Sequence, residues 1–140
     1  MKKITVLLCD DHNVARECLR SLLEAAGDIQ VVGEAENGHE SVQEAKRLLP
    51  DVVVLDLAMP LLNGMGAARQ ITKEVPSTRV LILSGYSDDQ HVVHAIEAGA
   101  AGYLMKETAA NDLLQAVRET ASGNAFFSPP VTRRLLKQWP

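Results

Sequence analysis

Short apolar runs and longer amphipathic stretches take turns along this chain. The apolar runs are Ile4–Cys9, Gln30–Glu34, Val52–Leu55, Arg79–Leu83 and Gly102–Met105. They are rich in Val, Ile and Leu and too short for helices, so each predicts a strand. Val52-Val53-Val54-Leu55 does not alternate with polar residues, which is the pattern of a strand covered on both faces. Between the runs, Val14–Ala26 puts Ala15, Cys18, Leu19, Leu22, Leu23 and Ala26 on one face of a helix. Gly38–Leu49, Gly64–Val75, Asp88–Ala98 and Ala109–Ala121 repeat that pattern. Ser87-Asp88-Asp89-Gln90 reads as a capping box, and Gly27 and Gly99 fall where a left-handed residue ends a helix. Five alternations of strand and helix predict an α/β fold: a five-stranded parallel sheet with right-handed crossovers and helices on both faces.

Four of the five runs stop at a side chain that can do chemistry: Asp10-Asp11, Asp56, Ser84 and Lys106. In an open parallel sheet, ligands bind outside the carboxyl ends of the strands. A single strand-end aspartate usually caps a helix or makes a turn. Three acids, a hydroxyl and a lysine brought to the same edge predict a site instead. Two like charges about 4 Å apart repel by roughly 4 kcal/mol at an effective dielectric near 20. The acids therefore call for cations. Lys106 is one, and Mg²⁺ suits the place of a second, since it favours few carboxylates, several waters and a phosphate oxygen. Such a set can neutralise a phosphoryl group, with Asp56 as a carboxylate acceptor.

Composition narrows the classes without naming one. The chain has 140 residues, 46% hydrophobic and 23% charged, as for a globular domain with its own core. Aromatics are 4%, so aliphatic side chains must fill that core. The apolar run after Met1-Lys2-Lys3 ends at Asp10-Asp11, too early for a signal peptide, and no stretch reaches the length of a membrane span. The expectation is a cytoplasmic protein without membrane contact. Cys9 and Cys18 both fall on apolar positions and predict buried, reduced thiols. Net charge is −4, which argues against this chain gripping a phosphate backbone by itself; Arg133, Arg134 and Lys137 read as a solvated basic helix over Val131–Gln138 after the Ser128-Pro129-Pro130 break.

Asp10-Asp11, then Asp56-Leu57-Ala58-Met59-Pro60 with Gly64, then Ser84-Gly85 and Lys106 together resemble the receiver domain of two-component response regulators. The likeness spans residues 4 to about 122. Asp10-Asp11-His12 and Gly123…Phe127-Ser128-Pro129 resemble the NarL/FixJ type, whose receivers precede a helix-turn-helix domain of the LuxR kind. The resemblance implies a doubly wound, flavodoxin-like (CheY-like) sheet in the order 2-1-3-4-5. It implies a receiver over 1–122 and a linker over 123–140, leading to a DNA-binding domain absent from this chain. Asp56 would accept a phosphoryl group from a sensor histidine kinase. Asp11 and Asp56 would bind Mg²⁺ (or Mn²⁺ in its place), Asp10 through water, and the Ala58 backbone carbonyl would complete the set. Lys106 would pair with a phosphoryl oxygen. Ser84 and Tyr103, outward in the free chain, would turn inward on phosphorylation and change a face used for homodimerisation and transcriptional output. Glu107 stands where many receivers have a proline, Asn63 replaces a frequent aspartate as helix cap, and Gly85 replaces an alanine.

Rival readings have specific weaknesses. A flavodoxin-like cofactor binder would need hydroxyls or amides after the first strand, not Asp10-Asp11-His12. A phosphatase using Asp56 as nucleophile would need an acid two residues on, where Ala58 stands. Gly64-Met65-Gly66 lacks the third glycine of a dinucleotide loop, and His91 with His94 lacks a further zinc ligand. A stand-alone receiver without an effector domain is the nearest alternative.

Overall fold

The computed structural model describes residues 2–59, 61–85, 89–127, 132–133 and 136. Strands β1 (Ile4–Cys9), β2 (Ile29–Ala35), β3 (Val52–Asp56), β4 (Arg79–Ser84) and β5 (Gly102–Met105) alternate with helices α1 (Asn13–Glu24), α2 (Gly38–Leu48), α3 (Gly64–Glu74), α4 (Asp89–Glu97) and α5 (Ala109–Ala121). The predicted capping box before α4 and most of the predicted basic helix, including Arg134 and Lys137, lie outside the described residues. Gly27 and Gly99 do adopt positive φ, +83° and +94°.

The sheet has six strands, not five. Its order is β2-β1-β3-β4-β5-β6, where β6 is Phe126–Phe127, and the five larger strands keep the expected order. Every pairing is parallel; Gly102 lies opposite Phe126 and Tyr103 opposite Phe127. Two residues carry no periodicity, so this strand left no pattern to read. Its formation brings residues 126–127 into the sheet, beyond the expected boundary at 122.

Alternation along the central strands divides the core into two layers. Leu7, Cys9, Val53, Leu55, Val80, Ile82 and Met105 face α2, α3 and α4. Val6, Leu8, Val52, Val54, Leu81, Leu83 and Leu104 face α1 and α5. All five residues of β3 are buried, as its unbroken apolar run predicts. At the far end of the sheet, the Thr5 N–H donates to Asp51 Oδ2 at 2.9 Å and the Asp51 N–H donates to Thr5 Oγ1 at 2.9 Å. This pair holds β1 against β3 in the register that aligns their carboxyl ends.

Helix α1 is less buried than predicted. Leu23 is its only fully buried residue, and Cys18 is exposed, whereas Cys9 is buried. Ala15 and Cys18 are exposed and line an opening between α1 and α5. Helix α3 is positioned by a close approach: a Cβ on Gly64 would lie 2.5 Å from the Asp56 carbonyl oxygen and 2.5 Å from Leu57 Cα. Those are backbone atoms and cannot swing aside. Gly64→Ala is therefore expected to destabilise the fold by about 1–3 kcal/mol, the usual cost of overpacking, read as a lower urea midpoint.

Candidate functional site

The strand ends converge as the alternation requires. Asp56 is the last residue of β3, Ser84 the last of β4, Asp10-Asp11 follow β1, and Lys106 follows β5. They meet where the chain order reverses between β1 and β3, the crevice of a doubly wound sheet. One ligand atom from each of Asp10, Asp11, His12 and Asp56 lies within 4.8 Å of the others.

Burial makes this cluster costly. Asp10 is 2% exposed and Asp56 1%, while Asp11 is open to solvent. Asp56 Oδ2 accepts a hydrogen bond from Lys106 Nζ at 3.0 Å, and Oδ1 accepts the Ala58 N–H at 3.0 Å. Asp10 Oδ1 accepts the His12 N–H at 2.9 Å. Burial raises the Asp10 pKa above the usual carboxylate range; the His12 N–H opposes the rise, and the charge of Asp56 adds to it. One lysine thus faces three carboxylates. The three carboxylates offer hard oxygens, few in number and open to water on the Asp11 side, which fits Mg²⁺ and suits Mn²⁺ as well. His12, whose place next to Asp11 in the sequence puts it near the acidic edge without a role, has Nδ1 3.0 Å from Asp11 Oδ1.

Asn63 accepts the Gly66 N–H at 2.9 Å and caps α3, as its position predicts. The cap holds the loop that carries Ala58, an exposed residue. The Lys106–Glu107 peptide is trans, since the described residues contain no cis bond, and a short 3-10 turn over Lys106–Thr108 leads into α5. Ser84 is buried at the edge beside Asp56. Tyr103 is fully buried in the layer that also holds Ile82, Val92 and Ala95, with Phe127 packed against it. The structure therefore has both Ser84 and Tyr103 inward, unlike the expectation for the free chain. The ring gains apolar contact there that an outward position would forgo.

Two openings flank the acids. One, about 280 Å³, lies between α1 and α5 and is lined by Ala15, Cys18, Leu19, Leu22 and Ala109, with Lys106 at its margin. The other is lined by Ala58, Asn63, Met65, His91 and His94; the two histidines, read from sequence as idle helix residues, face the loop after β3. Cys9, beside Asp10, has its thiol pKa pushed up to about 12 by burial. It is an unreactive core thiol at neutral pH.

Comparison with known proteins agrees with this geometry. The response regulator receiver domain family matches residues 6–118. The transcriptional regulatory protein DegU of Brevibacillus brevis is 36% identical over 137 residues, covering 98% of this chain and 58% of DegU. The chain spans about three fifths of the length of the curated relatives it matches. A LuxR-family two-component response regulator from Aurantimonas sp. SI85-9A1 superposes with a TM-score of 0.92 at 31% identity, covering 98% of each chain. The RcsB response regulator of Salmonella typhimurium, in a study of its DNA interaction, gives a TM-score of 0.89 at 26% identity over 98% of this chain and 69% of RcsB.

The raised pKa of Asp10 has a testable sign. A carboxyl whose folded pKa lies above its unfolded value destabilises the fold when ionised, and the cost is relieved as pH falls through the folded value. Asp10→Asn is expected to raise the melting temperature by a few degrees at pH 7 in metal-free buffer. The gain should shrink at acidic pH, where the wild-type carboxyl also becomes neutral. Thermal melts of both chains across pH check this.

Proposed function

The chain belongs to the response regulator receiver domain family, and on that premise we propose that Asp56 is its phosphoacceptor, fed by a sensor histidine kinase. The observation that carries this reading is the buried Asp56 carboxylate, held between the Ala58 N–H and Lys106 at the carboxyl edge of the sheet. A carboxylate oxygen attacks the phosphorus of a phosphohistidine; the P–N bond breaks and its electron pair leaves with the imidazole. Asp11 and Asp56 hold Mg²⁺ directly, Asp10 through water, and the Ala58 carbonyl is the remaining protein ligand. When bound, the ion supplies positive charge for the phosphoryl oxygens. Lys106 turns from the carboxylate towards a phosphoryl oxygen, and Ser84 hydrogen-bonds another.

The consequence is a shift in population. A phosphoryl group adds roughly −2 charge and new acceptors, which favour the arrangement in which Lys106 and Ser84 bond to its oxygens. Moving a balance from 1:99 to 99:1 takes about 5.5 kcal/mol of difference between states. Tyr103 already occupies its inward place without a phosphoryl group, so the proposed switch stabilises that arrangement and does not create it. The output is homodimerisation and, in a longer chain, release or pairing of a DNA-binding domain. Two lines of support are a structure of RcsB dimers bound to two parallel DNAs and the naming of DegU as a transcriptional regulatory protein. The receiver spans 1–122, the segment 123–140 leads on from it as a linker that first pairs with β5 through Phe126 and Phe127, and a cytoplasmic location follows from the kinase partnership. Among the described residues no helix is long and apolar enough to cross a membrane.

Incubation with acetyl phosphate and Mg²⁺ should add one labile phosphoryl group by intact mass, and none in Asp56→Asn. A wild-type gain in that variant would overturn the assignment. Lys106→Ala should fold yet accept phosphate at least roughly tenfold more slowly, because it lacks the cation that faces the developing charge. Sustained phosphoester turnover, instead of one group per chain, would favour a phosphatase.

A further inference from the structure

Next to the acids lies an arginine whose donors are engaged on all sides. Arg16, in the first turn of α1, has a side chain only 12% exposed. Its Nη1 donates to the backbone carbonyl of Asp10 at 2.6 Å, and its Nε donates to Glu34 Oε1 at 2.9 Å. Its Nη2 donates to Asn13 Oδ1 at 2.8 Å and to Glu36 Oε1 at 3.3 Å. On the other side, the Asp10 N–H donates to the Ala35 carbonyl at 3.0 Å. The peptide units flanking Asp10 are thus tied to β2 directly and through the guanidinium. The turn bearing Asp10 and Asp11 cannot rotate without breaking one of these bonds.

Building on the metal reading above, we propose that Arg16 is a positioning residue for the divalent cation. Its planar fork locks the Asp10 carbonyl and thereby aims the Asp10 and Asp11 carboxylates at a common point. Geometry is the means, not charge. Glu34 and Glu36 balance the guanidinium, and an unbalanced positive charge beside the acids would oppose a cation. Fastening α1 to β2 is not the explanation either, because Arg20 already does so through Glu34 without a hydrogen bond to the Asp10 turn. Lysine cannot replace the fork, since an ammonium lacks its fixed spread of donors.

The test is a MgCl₂ titration of the full chain, followed by the amide shifts of residues 10–13 and 56–58, with thermal melts in parallel. Arg16→Lys and Arg16→Met should both weaken Mg²⁺ binding about tenfold, the usual loss when a group orienting a metal ligand is removed. Arg20→Met, which cuts the same helix–strand tie, should leave the affinity within about twofold, as for a surface ion pair. Acetyl phosphate labelling of Arg16→Lys should lag at limiting Mg²⁺ and recover when the ion is raised. Wild-type affinity in both Arg16 variants would overturn the inference, as would tighter binding in Arg16→Met, the sign of a purely electrostatic role. If both variants fail to fold, Asn13→Ala decides, because it removes a partner of the fork without changing charge: weaker Mg²⁺ binding supports the fork, and unchanged binding refutes it. Absence of any Mg²⁺-dependent shift in the wild-type chain would overturn the metal reading itself, and this proposal with it.

Discussion

Concentrated negative charge at one edge of a buried sheet is the constraint around which this molecule is arranged. Asp10 and Asp56 are almost wholly removed from water, and Lys106 is the cation that pairs with the Asp56 carboxylate. Buried carboxylates without full compensation weigh against folding. Their persistence here is in keeping with the proposed metal and phosphoryl site, whose occupants would supply or share that charge. A neutral edge would fold more readily and bind nothing.

The rest of the fold supplies what that edge requires. Two apolar layers anchor the strands from both faces, so their ends cannot drift. The Thr5–Asp51 exchange sets the β1–β3 register at the opposite end. Gly64 lets α3 approach the backbone of Asp56 more closely than any Cβ would allow. Each of these acts on the chemistry from a distance, by fixing where a main-chain carbonyl or a strand terminus lies.

Output has a structural route as well. Tyr103 pairs with Phe127 across β5 and β6 and shares a core layer with it. Whatever moves Tyr103 therefore acts on the strand from which the chain continues. The sixth strand also covers the outer edge of β5, which would otherwise present unpaired backbone groups.

Much of this was legible in the residue order. Apolar runs of strand length between amphipathic stretches demanded a parallel α/β sheet, because no other packing buries both patterns at once. The abrupt polar ends at Asp10-Asp11, Asp56, Ser84 and Lys106 then had to share an edge. Local spacing could not reveal β6, whose two residues have no period, nor the exposure of Cys18, which depends on how closely α5 packs beside α1. It could not show that Tyr103 lies inward, since an aromatic at a strand end has both choices open to it. Nor could it bring Arg16 to the Asp10 carbonyl, as that bond joins groups through a helix turn and a neighbouring strand. Periodicity is a property of neighbours along the chain and so settles elements and their order; the direction in which a long side chain points is decided by partners that only folding brings within reach.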